Sequence, residues 1–165
     1  MRFEPLDGKR HDRKQFDCGV QALNDYVMRF AGQDARRGLA RTWVLADQRR
    51  IIGYYTLSAH SVPRTGMPPD VAAGVYEEIP FLLLGRLAVD LAFQRRGYGD
   101  ALIAHAFRST RDAADRFGIF GMIVDAKDEA AALYYEGFGF ERLEGDRRRL
   151  MLPIGAMDRL LLRQS

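Results

Sequence analysis

Residues 85–107 read G-R-L-A-V-D-L-A-F-Q-R-R-G-Y-G-D-A-L-I-A-H-A-F. The apolar run from Phe81 to Val89 suits a buried strand, and Leu102, Ile103, Ala106 and Phe107 recur at helical spacing. The chain must therefore pass from strand to helix across Gln94-Arg95-Arg96-Gly97-Tyr98-Gly99. A helix N-terminus presents unpaired N–H groups and about half an elementary positive charge. Glycines at 97 and 99 remove the Cβ atoms that would hold an anion away, and Arg95 and Arg96 add charge, so the segment suits a pyrophosphate. The plainer alternative is a tight turn that merely contains glycine. Two nucleotide-binding patterns are excluded: Leu102 stands where a dinucleotide fingerprint needs a third small residue, and no G-K-S/T phosphate loop exists.

The rest of the chain reads as strands and helices in alternation. Asp17 is the expected N-cap of a first helix with Val20, Leu23, Val27, Phe30 and Ala31 on one face. R-T-W-V-L-A and I-I-G-Y-Y-T-L-S form an expected hairpin, and Phe81–Asp90 the central strand. A helix over Gly99–Phe117, ended by Gly118, precedes the strand I-F-G-M-I-V-D. A helix over 125–136, the strands F-G-F-E-R-L and R-R-L-M-L-P, and a closing helix complete an α+β chain, expected to be one domain over 1–165. Its 165 residues suffice for one sizeable core. No apolar run reaches membrane-spanning length, no signal-peptide core is visible, and the single Cys18 allows no internal disulfide, so a cytoplasmic protein away from membranes is expected. Of the 25 basic residues, 22 are arginine and three lysine, with clusters at Arg36, Arg37 and Arg41, at Arg95 and Arg96, and at Arg147–Arg149. Such clusters are solvated surface or sites for phosphate oxygens.

A second motif lies downstream, A-A-L-Y-Y-E-G-F-G-F, with Tyr135 four residues before Gly139. Together with L-A-V-D-L-A-F-Q-R-R-G-Y-G it resembles the signature pair of the GNAT acetyltransferase superfamily, Gln94, Gly97 and Gly99 matching Q/R-x-x-G-x-G/A. F-D-C-G-V-Q-A-L-N-D-Y, A-R-T-W-V-L-A, G-Y-Y-T-L-S, L-L-G-R-L-A-V-D and R-R-L-M-L-P-I extend the likeness to the acetyltransferase toxins of bacterial toxin–antitoxin operons. The resemblance implies a GNAT fold, a mixed and mostly antiparallel sheet splayed between its fourth and fifth strands. It also implies acetyl-CoA as co-substrate, no metal, aminoacyl-tRNA as acceptor, a ribbon-helix-helix antitoxin as partner, and a protein that blocks translation; a homodimer is compatible with it. One departure is Asp128, where superfamily members often carry Asn.

On that resemblance the pantetheine arm pairs with the backbone of Leu87, Ala88 and Val89, and the pyrophosphate rests on Arg95, Arg96, Gly97, Tyr98, Gly99 and Asp100. Tyr135 is the expected general acid, because a phenol is protonated at neutral pH and can protonate the departing thiolate; Tyr134 is expected to pack. Arg36, Arg37 and Arg41 are the expected contacts to acceptor phosphates, with Arg147–Arg149 as second choice. No strong base is evident: His11 is expected in a mobile polar segment, His105 on the polar side of its helix, and His60 alone merits a test. The alternatives are acetylation of a small-molecule amine or a protein N-terminus, or a non-catalytic acyl-CoA-binding module.

Overall fold

The computed structural model describes residues 1–72, 74 and 76–163. In chain order the elements are β1 (Arg2–Pro5), α1 (Gln21–Asp25), a π-helical turn (Tyr26–Phe30) leading into α2 (Ala31–Arg37), β2 (Arg41–Asp47) and β3 (Arg50–Pro63). A 3-10 turn (Arg64–Gly66), α3 (Pro69–Ala72), β4 (Glu78–Val89) and a second 3-10 turn (Leu91–Phe93) follow. Then come α4 (Tyr98–Ala114), β5 (Gly121–Asp125), α5 (Glu129–Glu136), β6 (Glu141–Arg142), β7 (Arg149–Pro153) and α6 (Ile154–Arg163). The sheet order is β1-β2-β3-β4-β5-β7-β6. The pairs β1–β2, β2–β3, β5–β7 and β6–β7 are antiparallel, and β4–β5 is parallel. This is the mixed α+β sheet expected. Pairing of β4 with β5 runs from Phe81↔Gly121 to Leu84↔Val124, while β4 continues to Val89, which is the expected splay.

Two compact units share the long strands: Met1–Ser58 with Gly85–Ala106, and Ala59–Leu84 with Phe107–Ser165. The first is built on Phe16, Tyr26, Val27, Ala31, Val44, Ala46, Ile51, Tyr54 and Ala88, so β2 and β3 turn alternate residues onto the first helix. The second is built on Val62, Met67, Ile79, Phe81, Ile123, Leu143 and Met151. Phe107 meets Phe138 and Phe140 there at centroid separations of 6.3 and 6.0 Å.

Several local expectations are corrected. Asp17 does not cap the first helix; its Oδ1 accepts from Gly19 N and Asn24 Nδ2, and Val20 occupies the cap without a side-chain bond. The apolar stripe expected over Val20–Ala31 breaks because Tyr26–Phe30 closes a π turn, whose extra residue rotates the following side chains around the axis. Tyr26, Val27 and Ala31 face the core, and Phe30 is left 49% exposed. The long helix ends at Ala114 instead of running to Gly118, which leaves Phe117 66% exposed. His11 is buried, accepting the Asp7 N–H at Nδ1 and donating from Nε2 to Glu4. His105 is likewise no surface residue: it stacks on Phe3 at 4.1 Å and bonds the Tyr55 hydroxyl at 2.7 Å.

Gly121 begins β5 against Leu152 and Pro153 of β7, and a Cβ there runs into the Leu152 carbonyl. Gly121→Ala is expected to cost about 1–3 kcal/mol in urea denaturation, by overpacking against backbone that cannot yield. Gly118→Ala, whose Cβ meets open space, is the control and should stay within about 0.5 kcal/mol of the parent.

Candidate active site

The turn after β4 is held by a buried carboxylate. Asp90 donates its backbone N–H to Ile52 O at 2.8 Å and accepts from Ala92 N at 2.9 Å, capping the Leu91–Phe93 turn. It also accepts from Asp17 N at 3.2 Å and faces the Arg50 guanidinium at 3.6 Å. Gln94 extends the bracing: its amide nitrogen donates to Val89 O at 2.9 Å and to Cys18 O at 3.1 Å. Sequence reasoning gave Asp90 no role, although an aspartate directly after a strand and before a short apolar turn is a recognisable cap.

Beyond Gln94 the backbone folds into the left-handed region twice, at Arg95 (φ 62°) and Gly97 (φ 84°), before Tyr98 opens α4. A left-handed arginine is unusual and marks a turn conformation imposed by its surroundings. A Cβ built on Gly97 meets nothing within 4 Å, so the backbone faces open space that an anion can enter. The first-turn N–H groups of this 17-residue helix lack intrahelical partners and lie directly after the turn. Arg95 and Arg96 are exposed; the Arg96 guanidinium sits 5.8 Å from the Phe93 ring, which also receives Arg50 at 5.0 Å and meets Tyr98 edge-on. Asp100 lies in the first turn, where a carboxylate favours the helix dipole. In β4, Ala88 packs in the core while Leu87 and Val89 are half-buried.

The candidate acid lies in the other unit. α5 is capped by Asp128, whose Oδ1 accepts the Ala131 N–H at 2.8 Å. The aspartate that departs from the superfamily's Asn thus performs the N-cap task that either residue can. Tyr135, in the last turn of α5, is half-buried against Phe140 at 5.6 Å, and burial pushes its phenol above the ordinary value. It therefore keeps its proton throughout the neutral range. Tyr134 is 40% exposed and packs edge-on against Phe138 at 5.2 Å.

Arg36 and Arg41 are brought together: both line a groove of about 590 Å³ with Lys9, Arg13, Gly8, Gly32 and Thr42. Lys9 and Arg13 were missed by the sequence reading; their signal is the basic run K-R-H-D-R-K at 9–14. Arg37 is exposed at the end of α2, outside that lining. Two arginines of the second cluster, Arg147–Arg149, bond within the chain. Arg149 grips Asp125 through two bonds of 2.6 and 2.8 Å, and its Nη1 donates to His60 Nε2 at 3.1 Å. Arg148 donates to Lys127 O at 3.3 Å. With Nε2 accepting from Arg149, the ring proton of His60 sits on Nδ1, and the lone pair a base would use is occupied. Among the described residues no group of three or more His, Cys, Asp or Glu gathers as a metal site, and no helix is long and apolar enough to cross a membrane.

The profile of the acetyltransferase (GNAT) domain matches residues 38–142. The chain is 33% identical over 141 residues to the tRNA-acetylating toxin of Mycobacterium tuberculosis (strain ATCC 25618 / H37Rv), covering 86% of this chain and 85% of that protein. It is similar to the structure of AtaT complexed with acetyl-methionyl-tRNAfMet, with a TM-score of 0.89 and 31% identity over 96% of this chain and 98% of that one. It is also similar to an AtaT variant bound to the C-terminus of the antitoxin AtaR and acetyl-CoA, with a TM-score of 0.82 and 32% identity over 96% of each chain. The two signature motifs, the splayed parallel pair and the profile match agree: the chain belongs to the GNAT acetyltransferase family.

Proposed function

We propose that this chain is an acetyl-CoA-dependent N-acetyltransferase, one domain over 1–165, that acetylates the α-amine of aminoacyl-tRNA in the cytoplasm and so blocks translation. A small ribbon-helix-helix antitoxin restrains it, and it works as a homodimer. The observation that carries the reading is the likeness, over nearly the whole chain, to a toxin described with an acetylated tRNA. The antitoxin rests on the relative bound to AtaR, and acetyl-CoA on that relative together with the open, left-handed Gly97.

In this reading the backbone N–H groups of residues 95–100, with Arg95 and Arg96, hold the pyrophosphate. The N–H and C=O groups of Leu87, Ala88 and Val89 align the pantetheine arm. The neutral α-amine attacks the thioester carbonyl, the C–S bond breaks, and Tyr135 gives its phenol proton to the departing thiolate. The proton shed by the new amide nitrogen returns the phenolate to phenol through solvent, so the cycle closes with free thiol and N-acetyl-aminoacyl-tRNA. Arg36, Arg37 and Arg41 hold acceptor phosphates.

Labelled acetyl-CoA added to bacterial extract is expected to deliver label to the aminoacyl-tRNA fraction, and label confined to protein or small molecules would refute the reading. Tyr135→Phe should lower turnover about 100- to 10,000-fold with unchanged acetyl-CoA affinity. Because burial raises the phenol above its ordinary value near 10, wild-type kcat should show no alkaline decline from this group below pH 10.

Gly97→Val places a branched Cβ in the open cradle at a φ that disfavours it, and calorimetry should find acetyl-CoA affinity reduced at least about tenfold while the melting transition remains cooperative. Charge removal at Arg36 and Arg37 should raise the KM for aminoacyl-tRNA, most at low salt because the variants' salt dependence is flatter, and leave the KM for acetyl-CoA alone. A salt-independent KM for tRNA would redirect the search to a small amine.

A further inference from the structure

Arg86 has no part in the mechanism above. It lies in β4 directly before Leu87, half-buried, on the face of the strand that turns Ala88 into the core beside Tyr26 and Val27. Its guanidinium carbon sits 3.6 Å from the centroid of the Tyr26 ring. Tyr26 is itself fixed. It opens the π turn and is buried, and its hydroxyl donates to Asp34 Oδ2 at 2.7 Å. Burial and that bond push its phenol up to about 12, so the ring is a neutral π face.

The stack leaves a specific capacity unused. Asp34 takes the Tyr26 hydroxyl, and Arg86 forms no ion pair with a carboxylate of the described residues. A guanidinium held over an aromatic ring at 3.6 Å is positioned with little rotamer freedom left to lose and keeps its N–H fork for another partner. The natural match to such a fork is a pair of oxygens on one tetrahedral or carboxyl centre. A solvated surface arginine has no need of a buried tyrosine as a platform, nor of a π turn to supply it; π turns recur at functional positions.

We infer that Arg86 is a substrate-positioning residue whose guanidinium, held on Tyr26, binds the phosphodiester nearest the aminoacylated end of the acceptor. The inference rests on the proposed tRNA acceptor and on delivery of the acetyl group at Leu87, one residue further along β4. From that place a phosphate contact fixes the distance from the RNA backbone to the α-amine, which is what near-attack geometry requires.

The test uses purified full-length protein with bulk-charged tRNA and acetyl-CoA, comparing wild type with Arg86→Ala, Arg86→Gln and Arg86→Lys across a salt series. Arg86→Ala and Arg86→Gln are expected to raise the KM for aminoacyl-tRNA at least about tenfold, with the KM for acetyl-CoA unchanged. They should also flatten the dependence of log KM on log salt by about 0.7–0.9, the signature of one lost phosphate contact. Arg86→Lys should restore the slope while its KM stays raised, because a point charge lacks the fork. An unchanged KM for tRNA in either neutral variant overturns the inference. So does a raised KM with an unchanged salt slope, which would make Arg86 a packing residue. If wild type acetylates no RNA, the proposed function falls first and this inference with it; if wild type acetylates tRNA and the variants match it, this inference alone falls.

Discussion

A buried carboxylate organises the turn between β4 and α4. Asp90 stands where β4 must stop and the backbone must reverse toward α4, and it answers three demands at once: an N–H of the following turn, an N–H from the loop before the first helix, and the charge of Arg50. A carboxylate this buried is tolerated only while those partners remain, since losing one leaves an uncompensated charge. The dependence runs in the other direction too. With Asp90 and Gln94 holding the strand end, Arg95 and Gly97 are driven into left-handed backbone, and the N-terminus of α4 is presented to open space instead of being covered by a side chain.

What could be read from residue patterns was whatever depends on local spacing. The β4–turn–α4 passage was visible because apolar period, arginines and glycines all change within a few positions, and Tyr135 because A-A-L-Y-Y-E-G-F-G-F resembles a family motif. The α+β class with a mixed sheet followed from the alternation of strands and helices, and the splay of β4 and β5 from the family resemblance. What escaped depends on tertiary partners. His11 and His105 look polar in sequence, yet His11 is buried and His105 half-buried because a particular neighbour, Glu4 or the Tyr55 hydroxyl, satisfies each ring. The π turn at Tyr26–Phe30 leaves no signature in a periodicity count, and it moved Phe30 from the expected core face to the surface. Asp17, a plausible cap by residue type, was claimed instead by Asn24 and Gly19.

The arginines divide by the company they keep. Arg142 is tied to Glu129 and Glu136, Arg149 to Asp125, and Arg111 to Asp115 and Asp158. These exposed pairs organise the surface around α4, α5 and β7 and contribute little stability each. Arg36 and Arg41 share a groove with two further cations, and Arg86 rests on an aromatic ring. The net charge of +3 is the small remainder of 25 basic against 22 acidic residues, so any attraction for a polyanion has to be local.

All three histidines are held by neighbours. Each ring has an occupied nitrogen: His11 and His105 serve packing, and His60 accepts from Arg149. A lysine side chain, with a reference pKa near 10.4, is only about 0.1% neutral at pH 7.4, whereas an α-amine near 7.8 is about a quarter neutral. The ratio, about 300-fold, is worth about 3.3 kcal/mol, which is the help a lysine-directed enzyme must supply through a base or desolvation and an α-amine enzyme need not. A half-buried phenol that keeps its proton, in a chain whose three imidazoles are all engaged, suits the second task as proposed. In the proposed mechanism Tyr135 supplies the acid and the base is left to the substrate's own equilibrium, so selectivity falls to whatever holds the α-amine in place.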